Sequence, residues 1–154
     1  MKPNICIIAA GGLKEDYLLA AARHYISRLK NVCDISVIET PDEPAPENLS
    51  EAKRCVILAR EGERISNRFM PSDIIASLTA GGRLADLSFF QTLINKAVFE
   101  RRRLVFVIGG SFGLTESLLR QSDYAISLSR FTFPHRLARL ALMEILCQIN
   151  RPGR

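Results

Sequence analysis

Residues 104–114 read L-V-F-V-I-G-G-S-F-G-L, and few folds accept such a stretch. Five apolar residues, three of them β-branched, make the kind of run that a strand buried on both faces requires. The pair Gly109 and Gly110 then turns the backbone sharply and lets another group come close to it. Thr115 suits the N-cap of a helix that begins with Ser117, Leu118 and Leu119. Strand, glycine loop and helix in this order are the usual setting for a nucleotide-like ligand at the carboxyl end of a parallel sheet. A purely structural turn draws on the same residue types.

The 154 residues suffice for one domain with its own core, so a single domain over 1–154 is expected. Hydrophobic residues make up 47 % and charged residues 24 %, which places the chain among ordinary globular proteins. No apolar run approaches the ~18 residues of a membrane span. Lys2 and the short apolar run 5–10 read as a first strand and not as a signal peptide, because glycines and charges follow at once. The four cysteines (Cys6, Cys33, Cys55, Cys147) form no C-x-x-C pair and there are two histidines, so no metal site is expected. Free thiols of this kind suit a reducing, cytoplasmic setting. A net charge of +5 permits an anionic partner such as RNA without requiring one.

In chain order, residues 4–10 read as strand one and residues 16–30 as an amphipathic helix with Leu18, Ala22, Tyr25 and Leu29 on one face. His24 on that helix is read as a surface or packing residue. Strand two covers 34–39. Residues 40–50 carry Pro41, Pro44 and Pro46, which forbid helix and interior strand, so this is an exposed connector or a lid. Ser50 caps a helix reaching about residue 69, with Val56, Ala59 and Ile65 inward and a mixed-charge outer face. Gly62 in its middle costs about 1 kcal/mol against alanine, which points to a bend or a close packing contact. Strand three covers 73–78 and runs into a second glycine loop, T-A-G-G-R at 79–83. Ser88 is read as the cap of the next helix, closed by Arg101, Arg102 and Arg103, which either complement its dipole or contact RNA. Strand five covers 124–128. The last helix, 135–149, is apolar on almost every side, which calls for burial all round and favours a partner subunit. Strands and helices thus alternate through five strands, the pattern of an α/β domain whose mainly parallel sheet carries helices on both faces.

Three strands end in unusual loops: 78–83, 109–113 and 129–134. On one sheet edge they make a single pocket, whose glycine backbone and Ser/Thr groups could hold an adenosine-like group without a charged side chain. A nicotinamide site fits poorly. It needs G-x-G-x-x-G in the first β–α turn and an acid about 20 residues on; here the spacing is G-G-x-x-G, late in the chain, with Phe133 at the acid's place. No nucleophile elbow accompanies His135.

The stretches F-V-I-G-G-S-F-G-L and Y-A-I-S-L-S-R-F-T-F-P-H-R-L-A-R, with P-D-E-P-A-P-E-N and R-E-G-E-R-I before them, closely resemble the SPOUT-class ribosomal RNA large subunit methyltransferase H family. The resemblance runs from Met1 to about Leu146. It implies a five- to six-stranded α/β-knot fold with a C-terminal trefoil knot, a homodimer, and S-adenosylmethionine-dependent methylation of N3 of a pseudouridine in 23S rRNA on assembled ribosomes. Carried over by motif, the cofactor would meet Leu78, Gly110, Ser129, Arg130, Phe131, Thr132, Phe133 and Pro134. His135, Arg136 and Arg139 are the candidate RNA contacts, and no proton acceptor can be named. The chain departs from the family pattern at Thr79 and Gly81, where an acid and an arginine are usual. It departs again at its end, L-C-Q-I-N-R-P-G-R, where a Tyr-Arg pair and a final Tyr-His are usual and where Cys147 and Gln148 stand instead. A tail-shortened relative that binds cofactor or ribosome without methylating is therefore the alternative, and a flavodoxin-like nucleotide module a third.

Overall fold

A computed structural model of the chain describes residues 1–43 and 48–149. Pro44, Pro46 and Glu47 of the proline-rich stretch, and residues 150–154, lie outside the described residues. Ten elements alternate along the chain: β1 (Asn4–Ala10), α1 (Asp16–Leu29), β2 (Asp34–Thr40), α2 (Glu51–Ser66), β3 (Ile74–Leu84), α3 (Leu87–Glu100), β4 (Leu104–Ile108), α4 (Glu116–Gln121), β5 (Tyr124–Ser127) and α5 (His135–Ile149). The described residues form one five-stranded sheet in the order β2-β1-β4-β3-β5, with every pairing parallel.

The two central strands are apolar at consecutive positions because both of their faces are covered. In β1 the side chains of Ile5, Ile7 and Ala9 join one core cluster with Leu29, Phe90, Leu93, Leu142 and Leu146, beneath α1, α3 and α5. The alternate residues Cys6, Ile8 and Ala10 join a second cluster with Val105, Val107, Ile65 and Leu118, beneath α2 and α4. Leu104, Val105, Phe106 and Val107 have no exposed surface.

Several expectations need correction. Only five strands are present among the described residues, so a sixth is not found. The helix after β3 is capped by Asp86, whose Oδ1 accepts from Phe89 N–H at 2.8 Å; Ser88 lies inside the helix, where its carbonyl accepts from Thr92 Oγ1. Two good capping residues stand two positions apart, and the one three residues before a free amide takes the role. On α2, Ser50 does cap the helix. The buried stripe, however, is Ile57, Glu61 and Ile65, spaced four apart, while Val56 and Ala59 face outward. Gly62 serves close packing: a Cβ there would lie 3.1 Å from Thr115 Oγ1 at the start of α4. The last helix buries Leu142, Met143, Leu146 and Cys147 and packs against α1 and α3, so most of its apolar surface is covered within the chain.

The second glycine loop is drawn into β3. Leu78 and Arg83 both align with Ile126 of β5, so residues 79–82 bulge out of register between them. Gly82 closes the bulge directly against β5, where a Cβ would come within 2.7 Å of the Ala125 and Ile126 backbone.

The arginines at 101–103 do different work from one another. Arg101 takes a left-handed conformation (φ 55°) as the C-cap of α3. Arg102 donates to the carbonyls of Ser72 and Asp73. Arg103 grips Asp73 with two hydrogen bonds of 2.9 and 2.7 Å, and Asp73 also accepts from the Met70 amide. The Asp73 side chain is 1 % exposed. This clamp ties the entrance of β3 to the entrance of β4.

Removing one partner of such a pair leaves a buried charge unpaired, so Asp73→Ala should cost about 3–5 kcal/mol in denaturant unfolding. Gly82→Ala should cost about 1–3 kcal/mol by the same measurement, because backbone and not a flexible side chain blocks the added methyl. Gly81→Ala, where a Cβ meets nothing within 4 Å, is the neutral control.

Candidate functional site

The carboxyl ends of β3, β4 and β5 meet around a cleft of about 810 Å³. Leu78, Thr79 and Ala80 come from β3 and its bulge. Residues 108–114 form the loop after β4, residues 126–129 and 131–134 the end of β5 and its loop, and His135 and Ala138 the first turns of α5. The glycine loop is a tight turn in which Gly113 N–H donates to the Gly110 carbonyl at 3.1 Å, with Gly113 at φ +81°. Thr115 then caps α4 by accepting from Leu118 N–H. The loop after β5 is shaped by its own hydroxyls: Ser127 Oγ donates to the Ser129 carbonyl at 2.7 Å, and Ser129 Oγ accepts from Phe131 N–H at 3.0 Å.

Among the described residues His135 is the only titratable side chain that lines the cleft. Burial lowers its pKa, Arg136 and Arg139 add to the effect, and Asp42 opposes it. The imidazole is therefore neutral at physiological pH. The rest of the lining is glycine backbone, Ser and Thr hydroxyls, and the apolar side chains of Leu78, Ile108, Ile126 and Leu128 with the rings of Phe112, Phe131 and Phe133. Such a surface can hold a flat, largely uncharged heterocycle by stacking and backbone hydrogen bonds.

Of the residues expected from sequence, Leu78, Gly110, Ser129, Phe131, Thr132, Phe133, Pro134 and His135 come together in this lining, and Arg130 is not among them. Arg136 and Arg139 point elsewhere. Arg136 pairs with Glu15 at 2.8 Å. Arg139 is 5 % exposed and braces α5 against the ends of β1 and β2, donating to Glu39 Oε2 at 2.7 Å and to the Gly11 carbonyl at 2.8 Å. Thr79 and Ala80 line the cleft as members of the loop 78–83 that was expected to wall it, although only Leu78 of that loop was singled out as a contact. Sequence reasoning passed over Glu61, which sits buried directly behind Gly110: Oε2 lies 2.6 Å from where a Cβ on that glycine would stand. The signal for Glu61 was present in the i, i+4, i+8 stripe of Ile57, Glu61 and Ile65.

Among the described residues no group of three or more His, Cys, Asp or Glu is placed to hold a metal ion. No helix there is long and apolar enough to cross a membrane.

A family model described as "Predicted SPOUT methyltransferase" matches residues 3–151. The chain is 41 % identical over 142 residues to the ribosomal RNA large subunit methyltransferase H of Limosilactobacillus reuteri (strain DSM 20016), covering 92 % of this chain and 89 % of that protein. It is 38 % identical over 152 residues to the same-named protein of Bacillus cytotoxicus, covering 98 % and 96 %. With ribosomal RNA large subunit methyltransferase H 1 of Thermoanaerobacter pseudethanolicus it shares 42 % over 145 residues, 93 % of each chain. A three-strand cleft with an uncharged, glycine-turned wall and a match over nearly the whole sequence agree, and the chain belongs to the ribosomal RNA large subunit methyltransferase H family of SPOUT methyltransferases.

Proposed function

We propose that this single-domain chain transfers a methyl group from S-adenosylmethionine to N3 of a pseudouridine in large-subunit (23S) rRNA, acting on assembled ribosomes in the cytoplasm as a homodimer. The observation that carries the reading is the cleft itself. Its volume, its lack of acidic lining and its backbone-rich wall fit an adenosine-bearing ligand, and the relatives named above are ribosomal RNA methyltransferases. The trefoil knot belongs to the same reading.

In this reading Leu78 and the end of β3 form one wall, Gly110 and its turn the second, and Ser129, Phe131, Thr132, Phe133 and Pro134 the third. Arg130 stands just outside and would approach the ligand from the rim. S-adenosylmethionine supplies an electrophilic methyl on a sulfonium, a leaving group that needs no protein acid. The chain's task is then to hold two reactants in line and to exclude water. Neutral His135 at the rim offers one donor and one acceptor to a nucleobase edge without opposing a cationic cofactor. Surface cations supply the affinity for the phosphate backbone.

Ribosomes lacking the modification, incubated with the protein and radiolabelled S-adenosylmethionine, should take up label on a large-subunit pseudouridine located by mass spectrometry. Cofactor binding without transfer would instead identify a binding relative that does not methylate. Gly110→Val fills the space between Glu61 and the cleft. It should abolish cofactor binding by calorimetry while the cooperative melting transition is retained, and undiminished affinity would remove the glycine loop from the site.

A further inference from the structure

Of the three glutamates on α2, only Glu61 is buried, at 5 % exposure. It belongs to the R-E-G-E-R-I motif at 60–65, to which the transfer reaction assigns no task. Its Oε2 has no hydrogen-bond partner among the described residues. Two other buried side-chain atoms among the described residues share that condition, Glu15 Oε2 and Arg136 Nε, but those two residues form an ion pair with each other. Arg64, one turn further along α2, is occupied by Glu43 and the Pro41 carbonyl at 2.7 and 3.0 Å. An unpartnered buried carboxyl is costly, and its retention beside a cleft calls for an explanation.

Only the absent side chain of Gly110 separates this carboxyl from the loop that walls the cleft. The cleft lining carries no formal charge at neutral pH, so charges just behind the wall set the field inside it. The loop of residues 109–113 contributes none. Asp42 and Glu43, on the segment after β2, add to the negative field, and Arg64 offsets part of it. Arg54 lies over the Phe112 ring at 5.3 Å and His135 is neutral.

We propose that Glu61 is a specificity-determining residue whose carboxylate, acting through the Gly110 wall, favours a positively charged sulfonium methyl donor over the uncharged thioether left after transfer. The inference rests on the cleft being the methyl-donor site. Methyl transfer removes one positive charge from sulfur, and a fixed negative charge nearby distinguishes the two states when shape hardly does. Donor and proton then compete for Glu61. Burial raises its pKa, with Asp42 and Glu43 adding to the rise and Arg64 opposing it. The ionised form binds the cation better, so donor affinity rises as pH rises through that pKa, and product affinity does not follow. Protonation of His135 at low pH would repel the donor with the same sign, so the part due to Glu61 is the difference between wild type and Glu61→Gln.

The test is calorimetric titration of wild type, Glu61→Gln and Glu61→Asp with S-adenosylmethionine and with S-adenosylhomocysteine, from acid to neutral pH, with melting curves for each protein. Glu61→Gln should bind the donor on the order of tenfold more weakly, leave the product nearly unchanged, and flatten the pH dependence of donor binding. Glu61→Asp, which keeps the charge, should retain part of the preference. Equal weakening of both ligands, no change in either, or equal loss of preference in both variants would overturn the assignment and leave Glu61 a packing role. Should Glu61→Gln fail to fold, Glu61→Asp and the wild-type pH profiles decide on the same criteria. A wild type that binds neither ligand would overturn the methyl-donor reading itself, and this inference with it.

Discussion

Burial of β1 and β4 on both faces is the constraint from which the rest of the molecule follows. Apart from Asn4 these strands are buried on both faces, their neighbours in the sheet are parallel, and parallel neighbours need crossover connections, here helices that cover both faces. The helices then cover the sheet faces and leave its carboxyl edge open. That edge is where backbone donors and acceptors become free to meet a ligand, and it is where residues 78–80, 109–114, 126–129 and 131–134 converge. The position of the cleft is thus a consequence of the hydrophobic pattern as much as of the loop residues.

This explains which features were legible in the sequence. A run such as L-V-F-V-I declares its burial by itself, and the helical stripe of α1 declares its inner face, whereas α5, apolar on almost every side, does not declare which face turns inward. The cleft residues after β4 and β5 were legible too, because glycines and a hydroxyl-rich S-R-F-T-F-P segment mark departures from regular structure. What sequence alone hid depends on three-dimensional neighbours. The stripe of Ile57, Glu61 and Ile65 hints that Glu61 is interior, but that it lies directly behind Gly110 depends on how α2 docks on the β4 loop. The continuation of β3 past Leu78 depends on β5 offering a partner for Arg83 and Leu84, which no local pattern encodes. The true cap of α3 depends on which of two candidates, Asp86 or Ser88, reaches a free amide.

The arginines show how far composition can mislead. A net charge of +5 suggests a surface made for polyanions, yet Arg64, Arg102, Arg103, Arg136 and Arg139 all pair with carboxylates of this chain. Four of them also hold backbone carbonyls near element ends: Arg64 at Pro41 after β2, Arg102 at Ser72 and Asp73 before β3, Arg103 at Arg68 after α2, and Arg139 at Gly11 after β1. These are guanidinium struts, a task for which lysine lacks the planar fork. The cationic surface free to meet an anionic partner is correspondingly smaller than the sequence suggests.

The bulge in β3 has a meaning for how such a molecule can vary. Leu78 and Arg83 both face Ile126, so the sheet resumes on the same partner after the bulge as before it. The segment between them is a slack length in the cleft wall, held at one end by β4 and at the other by Gly82 against β5. Residues can be exchanged there, at Gly81 for instance, where an added Cβ would meet nothing within 4 Å, without the strands on either side changing register. Natural variation in what the cleft accepts has, in this segment, a place to accumulate that leaves the core untouched.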